Sequence, residues 1–315
     1  MSPSPRSVTI SGRLAINMHS LNNEGGEGNQ IQTRMVHIVD GAGNLQVVNA
    51  ISGDMLKHIQ AEHFWSLASN GNPALPLCTG CAKLSANRIN DDEGFFKGLG
   101  KANQNIVDQM IVRCAMDDVE GILITRDNRS TPRKSTVEFG WAIGLPDQTR
   151  TESYFHVKYV AERGSGSGDE SGANVGQNIF YRPASSGLYA VVCTVELHRV
   201  SWNDISRQHV KDVADDARRT RQRALLQSVL YTLVRTNGAQ RNTQHPHILG
   251  FQGVVSWSTT ATPAPTVSAL ANDYQEQMRA IGQELNRLDP GAVTSEKVDS
   301  SAELAHVLAD LVERI

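Results

Sequence analysis

Several groups of residues have types and spacings that could do chemistry. Cys78-Thr-Gly-Cys81 has the spacing of half a zinc site, since two thiolates three residues apart can share one tetrahedral ion. No second CxxC or HxxxH pair follows, so buried free thiols are the simpler reading and no metal is expected. His245-Pro-His247 offers two imidazoles without further matching ligands. Ser52-Gly53-Asp54 has the form of a helix start. Its free N–H groups and positive dipole end could seat a phosphate, or Ser52 could be an ordinary N-cap. Lys57 and His58 lie one turn further in, where they could add charge and a hydrogen bond.

The basic residues fall into three sets. Arg129, Arg133 and Lys134 form the densest early cluster, on a loop with Pro132. Lys158, Arg163 and Arg182 flank the run Gly164-Ser-Gly-Ser-Gly-Asp-Glu-Ser-Gly172. Arg218, Arg219, Arg221 and Arg223 spread around a helix behind Asp212, Asp215 and Asp216, which points to intrahelical ion pairs. The acidic Glu24 and Glu27 sit in the glycine-rich stretch Leu21 to Gln32, a poor platform for acid–base work. No P-loop, GxSxG or convincing triad occurs, and no cofactor is expected.

The elements that must position these residues follow from hydrophobic period and punctuation. Val8 to Met18 alternates as a half-buried strand whose polar face carries Arg13, Asn17 and His19. Leu21 to Gln32 reads as a mobile loop. Met35 to Val39 and Leu45 to Val48 form a hairpin about Asp40-Gly41-Ala42-Gly43. A helix runs from Ser52 to about Ala68, closed by Asn70-Gly71, and Pro73 to Lys101 reads as an irregular insertion. Ile106 to Val119 is helical; Ile122 to Thr125 and Val137 to Ile143 are strands. Tyr154 to Val160 and Asn178 to Tyr181 bracket a Gly/Ser-rich tip that cannot bury enough apolar surface to order itself, giving a long hairpin. Leu188 to Leu197 is apolar on both faces and therefore central. The helix Asp215 to Val234 is followed by Asn237-Gly238 as its cap. A strand over Ile248 to Trp257 and helices over Ala269 to Leu288 and Ala302 to Ile315 complete an α+β chain with large insertions.

With 39% hydrophobic and 20% charged residues, the composition is that of a soluble globular protein. The net charge of -3 argues against gripping nucleic acid with the whole surface, so any such site must come from a local groove. The N-terminus lacks the apolar core of a secretory signal, and no apolar run suits a membrane helix. A reducing cytoplasm and no membrane partner are expected.

Four segments, in order, resemble one family. Ile10-Ser-Gly-Arg-Leu-Ala-Ile-Asn17-Met-His-Ser-Leu-Asn22 is similar to the first strand of DevR-type Cascade backbone proteins. Asn49-Ala-Ile-Ser52-Gly53-Asp-Met-Leu-Lys57-His58 resembles that family's helix start. Ser135 to Pro146 resembles its strand into a long hairpin, and Phe180-Tyr181-Arg182-Pro-Ala-Ser-Ser-Gly187-Leu-Tyr189 the segment leaving it. The likeness spans most of Val8 to Val200 and fades afterwards; the insertion 73–101 matches nothing in the family.

The resemblance implies a modified RRM (ferredoxin-like) core of the RAMP superfamily, with an antiparallel sheet, a thumb hairpin over 151–185 and helical insertions. The palm would be assembled from 8–60, 104–150 and 186–260 within a single domain, with a C-terminal helical part over 265–315. It further implies copies polymerising along a CRISPR guide RNA, with other Cascade subunits, and target DNA met through the guide. On that reading the RNA contacts are Asn17, His19, Ser20, Asn22, Arg34, Ser52, Gly53, Lys57, His58, Arg129, Arg133, Lys134, Lys158, Arg163 and Arg182. Either His156 or Tyr159 occupies the family's thumb histidine position. Relatives that cut RNA use an Asp in the loop after the first strand; none lies between Asn22 and Val39 here, so a non-catalytic scaffold is expected. An RNA endonuclease of the same superfamily and a DNA-binding autoregulator are the alternatives.

Overall fold

The computed structural model describes residues 3–159, 177–238 and 242–315. A ferredoxin-like core stands at its centre. The long first strand β1 (Ser7–His19) leads through two hairpins, β2 (Asn23–Glu27) with β3 (Gln30–Thr33) and β4 (Met35–Val39) with β5 (Leu45–Ile51), into helix α1 (Gly53–Asn70). Ser52 caps α1, its Oγ accepting from the Met55 amide at 3.2 Å, and Asp54 favours the positive dipole end. Asp40 closes the second hairpin by accepting from the amides of Ala42 and Asn44, each at 2.9 Å.

The insertion 73–101 that follows is mostly short turns, with α2 (Thr79–Ala82) and α3 (Glu93–Phe96), and leads into α4 (Asn103–Arg113) and α5 (Ala115–Glu120). The expected single helix over 106–119 is two, because Cys114 adopts an extended backbone between α4 and α5. Short strands β6 (Ile122–Ile124) and β7 (Thr131–Arg133) pair with each other, and β8 (Val137–Phe139) returns to the sheet.

The two longest strands are β9 (Ala142–Tyr159) and β10 (Gln177–Val195). Their inner halves belong to the palm sheet and their outer halves make the thumb hairpin, so thumb and palm share uninterrupted strands. After β11 (Trp202–Asn203) and β12 (Gln208–His209) come α6 (Asp215–Val234), β13 (His247–Ser258), α7 (Tyr274–Leu288), β14 (Val293–Val298) and α8 (Ser301–Glu313). The α6 helix ends at Val234, short of the expected Asn237-Gly238 cap, and α7 begins at Tyr274 rather than Ala269.

The main sheet runs β14-β13-β1-β10-β9-β5-β4. Its centre, β13-β1-β10-β9, has the ferredoxin-like order, with α1 and α6 packed side by side on one face. Ile10 pairs with Cys193 on one side and Val255 on the other. Val8, Ile10, Leu14 and Ile16 meet Leu56, Phe64, Leu225, Val229 and Leu308 in the principal core. The opposite face is covered too: Leu145, Ala190 and Val254 pack against Ala269, Tyr274 and Met278. The half-buried β1 expected from alternation is therefore buried on both faces along its first half. Thr9 Oγ1 finds a partner inside, donating to the Pro265 carbonyl at 2.7 Å.

Candidate nucleic-acid interface

The residues expected on phosphate at the exit of β1 and at the start of α1 are turned onto each other. The Asn22 carboxamide oxygen accepts from the Ser52 amide at 2.8 Å, occupying the donor that a phosphate would have used. Gly53 is pressed so close to β8 that a Cβ there would lie 2.5 Å from the Phe139 carbonyl oxygen. Ser20 and Asn22 are buried, and His19, 2% exposed, meets the Tyr189 ring edge-on at 5.0 Å. Burial lowers the His19 pKa to about 4, so its imidazole is neutral at pH 7. This cluster fastens β1 to α1, and the His19, Ser20, Asn22 and Ser52 side chains named as RNA contacts are buried within it, with Gly53 packed behind them. Asn17 is half-buried beside His247 of β13.

Lys57 and His58 open onto a groove of about 460 Å³ between α1 and the insertion. Lys57 Nζ donates to the Glu120 carbonyl at 3.0 Å and lies 4.0 Å from its carboxylate; burial lowers the ammonium's pKa while Glu120 opposes the shift. His58 Nε2 stands 3.2 Å from Glu62. With Asp54, Glu62 and Glu120 in its walls, the groove is no concentrated basic surface.

The early basic cluster is dispersed by the fold. Arg129 reaches the carbonyls of Leu99 and Gly100 and ties down the end of the insertion. Arg133 is internal, its side chain 1% exposed, paired with Asp118 at 2.8 Å and Asp204 at 2.9 Å. Arg221, expected in intrahelical pairs, instead reaches Asp118 at 2.9 Å, while Arg218 does pair with Asp215. A buried hub around Asp118 thus takes two arginines. Arg13 is likewise spent on the Ala269 carbonyl and the Asn272 carboxamide. Of the early cluster only Lys134 stands exposed.

Aromatic and basic side chains meet toward solvent along the thumb and its base. Arg34 lies over the exposed Trp141 ring, 5.1 Å from its centroid. On β9 and β10 the register pairs Tyr154 with Arg182, Phe155 with Tyr181 and His156 with Phe180. One face carries Tyr154, His156, Phe180 and Arg182: the His156 and Phe180 rings stack at 5.6 Å with planes 8° apart, and Arg182 sits 4.7 Å over Phe180. Arg182 Nη1 also donates to Thr243 Oγ1 at 3.1 Å. The other face carries Phe155, 57% exposed, against Tyr181, 43% exposed. At its base, the Tyr181 amide donates to the Asn29 carbonyl at 2.8 Å, so the 23–33 stretch is a docked hairpin where a loop was expected. His156, one of the two residues named for the thumb histidine position, stands on the face with Phe180. Arg163 and the side chains of Lys158 and Tyr159 lie outside the described residues.

These aromatics were missed in the sequence. The signal was present: Tyr154-Phe155-His156 and Phe180-Tyr181-Arg182 stand at mirrored distances from the Gly/Ser run, which a hairpin must bring together. All four cysteines are free and buried, as expected. Three of them, Cys78, Cys81 and Cys114, converge with Asp117 inside the protein, a grouping that the sequence spacing alone did not reveal.

A model of the family "CRISPR-associated negative auto-regulator DevR/Csa2" matches residues 10–279. Among solved structures, a chain of a CRISPR RNA-guided surveillance complex in its pre-nicking state is 13% identical, with a TM-score of 0.50 over 97% of this chain and 100% of that one. A chain of another CRISPR RNA-guided surveillance complex, also 13% identical, gives 0.49 over 96% and 99%. Csc2 of Thermofilum pendens, again 13% identical, gives 0.40 over 100% of this chain and 82% of its own. No curated protein matches. At such identity the first likeness speaks to the fold, and the family match speaks to kinship: the chain belongs to the CRISPR-associated DevR/Csa2 family.

Proposed function

We propose that this protein is the guide-RNA-binding backbone subunit of a type I CRISPR Cascade effector, polymerising along the RNA, and that it is not an enzyme. The observation that carries this reading is the thumb, an aromatic and arginine-bearing hairpin continuous with an RRM-like sheet. Single strands are held by aromatic planes on which bases stack, supplemented by guanidinium groups on phosphate or base. Tyr154, Phe155, Tyr181 and Arg182 supply both kinds of group on one ribbon. Trp141 with Arg34 supplies a second stacking pair near its base. Such contacts hold a strand without reading its sequence, leaving guide bases free to pair with target DNA. Other copies of this chain and other Cascade subunits complete the assembly.

A non-catalytic role is supported by the exit of β1. Its histidine is neutral and internal, and its asparagine is committed to the α1 cap. The test is co-expression with a repeat-spacer array, followed by sequencing of the RNA retained on the purified protein. Short transcripts of uniform length are expected with the wild type. Replacing Tyr154, Phe155 and Tyr181 together by Ala should lower retention at least tenfold, since each base–aromatic stack contributes roughly 1–3 kcal/mol. Equal retention by the triple variant would remove the thumb ribbon from the RNA path. Regularly spaced cuts in a complementary RNA added with divalent metal would point to a nuclease instead.

A further inference from the structure

We propose that Cys78, Cys81, Cys114 and Asp117 bind one zinc ion, which fastens the insertion 73–101 to the α4–α5 junction. The ligand atoms of these four buried residues all lie within 4.8 Å of one another. Asp117 Oδ2 is 3.3 Å from Cys78 Sγ and 3.5 Å from Cys81 Sγ. A tetrahedral ion with Zn–S near 2.3 Å and Zn–O near 2.0 Å separates sulfur from oxygen by about 3.5 Å and sulfur from sulfur by about 3.8 Å. The apical spacings therefore fit already, and a contraction of about 1 Å at most completes the shell.

The two halves repeat one design. In Cys78-Thr-Gly-Cys81 the Cys81 amide donates to Cys78 Sγ at 3.3 Å; in Cys114-Ala-Met-Asp117 the Asp117 amide donates to Cys114 Sγ at 3.4 Å. Each first sulfur thus receives the N–H three residues on, a bond that favours the thiolate a metal requires. Gly80 is needed in the first half, because a Cβ there would sit 1.9 Å from the Arg88 carbonyl oxygen.

Charge is arranged to match. Asp117 Oδ1 and Arg88 Nη1 are buried without hydrogen-bond partners and stand 3.8 Å apart. Three thiolates and one carboxylate around a divalent ion leave two negative charges, of which Arg88 offsets one. The donor set selects the metal: three sulfurs disfavour magnesium and calcium, and four convergent ligands with no open position suit structural zinc. Binding displaces the thiol protons to solvent, and the ion keeps its oxidation state.

The site also sits in a region with little regular structure of its own. Between Pro73 and Lys101 the only α-helices are α2 and α3, each four residues long. A metal joining Cys78 and Cys81 to Cys114 and Asp117 would add a cross-link to those that the Arg113–Asp92 ion pair and Arg129 already make to this short-turn segment. This holds whether or not the thumb binds RNA.

The test uses the full untagged chain purified under reducing conditions without chelator. Elemental analysis should find one zinc per chain, released when a mercurial titrates the thiols in the presence of a chromogenic chelator. Exchange with Co²⁺ should produce thiolate-to-cobalt charge-transfer bands and the visible d–d bands of a tetrahedral site. Cys193→Ala, remote from the cluster, should keep the full zinc content. Cys114→Ala should lose it and melt at lower temperature, and Asp117→Asn should shift the cobalt d–d bands. If Cys114→Ala fails to fold, the wild-type stoichiometry and cobalt spectrum decide alone. Folded wild-type protein without stoichiometric zinc that gives no charge-transfer band with Co²⁺ would overturn the proposal, as would iron with acid-labile sulfide or a Cys78–Cys81 disulfide.

Discussion

At the scale of single residues, Asn22, His19 and Arg133 show how a polar side chain that looks like a ligand contact becomes structure. Asn22 satisfies the Ser52 amide through its side chain and the Thr33 hydroxyl through its carbonyl. Nothing in the sequence distinguishes a loop asparagine facing RNA from one facing a helix cap thirty residues away. His19 makes the same point and carries a pH signature. Its unfolded imidazole titrates near 6.5 and its folded one near 4, so the unfolded chain takes up the proton first as pH falls. Stability from this group is complete above pH 6.5 and is lost as pH drops toward 4, by at most about 3 kcal/mol. His19→Phe keeps the ring contact with Tyr189 and removes the titration. Urea midpoints measured from pH 7 to 4.5 should therefore fall less steeply for the variant; parallel curves would refute the assignment. Arg133 is held more strongly. Removing it leaves Asp118 with Arg221 but Asp204 with only the half-buried Arg199, and breaking a buried ion pair costs roughly 3–5 kcal/mol. Arg133→Ala should lower the urea midpoint accordingly, and a loss under about 1 kcal/mol would show that the hub repacks.

Among elements, the parts legible in sequence were those set by local period. The strands 8–18, 35–39 and 248–257, the α1 start at Ser52 and the long helix from Asp215 all follow from alternation or capping. What stayed hidden depended on partners distant in the chain. The polar face of β1 is buried because the segment around Ala269 and Tyr274 lies on it, and β14 extends a sheet from a stretch read as helical. The α4–α5 break at Cys114 lies inside an unbroken helical pattern and becomes intelligible only when its sulfur caps α5. One element is left with an unpaired apolar side: on the β4–β5 hairpin Met35, Val39, Leu45 and Val47 share a face and are all exposed, Leu45 at 69%. An outward apolar stripe on an edge strand is an aggregation hazard unless another surface covers it. In the proposed filament, a neighbouring copy is the surface expected to cover it. Val39→Lys with Leu45→Lys should leave the monomer's melting temperature within about 2 °C, since surface changes usually cost under about 0.5 kcal/mol. The same variant should reduce assembly along guide RNA in analytical ultracentrifugation, and unaltered assembly would place the stripe outside the copy-to-copy contact.

For the whole molecule, the fold spends most of its conspicuous cations internally. Arg13, Arg129, Arg133 and Arg221 are committed to carbonyls or carboxylates, and Lys57 is drawn to Glu120. With a net charge of -3 the protein has no general attraction for polyanions, which suits the proposed role of holding one strand and leaving other nucleic acid alone. RNA affinity should then come largely from stacking, and its salt dependence should be shallow. Arg34, Arg150 and Arg182 are cations of the described structure at the thumb and its base, Arg150 being 84% exposed beside Glu152, and Lys158 and Arg163 extend the thumb set in sequence. Each phosphate neutralised on a single strand contributes about -0.7 to the slope of log K against log salt. Three such contacts give about -2 per copy and five give about -3.5. Measured by fluorescence anisotropy on a guide fragment between low and physiological salt, the slope per bound copy should fall in that range. Arg182→Ala should flatten it by about 0.7, while Arg129→Ala should leave it unchanged. A slope several times steeper would mean that a basic surface outside the thumb grips the RNA, and the stacking ribbon would lose its place as the principal contact.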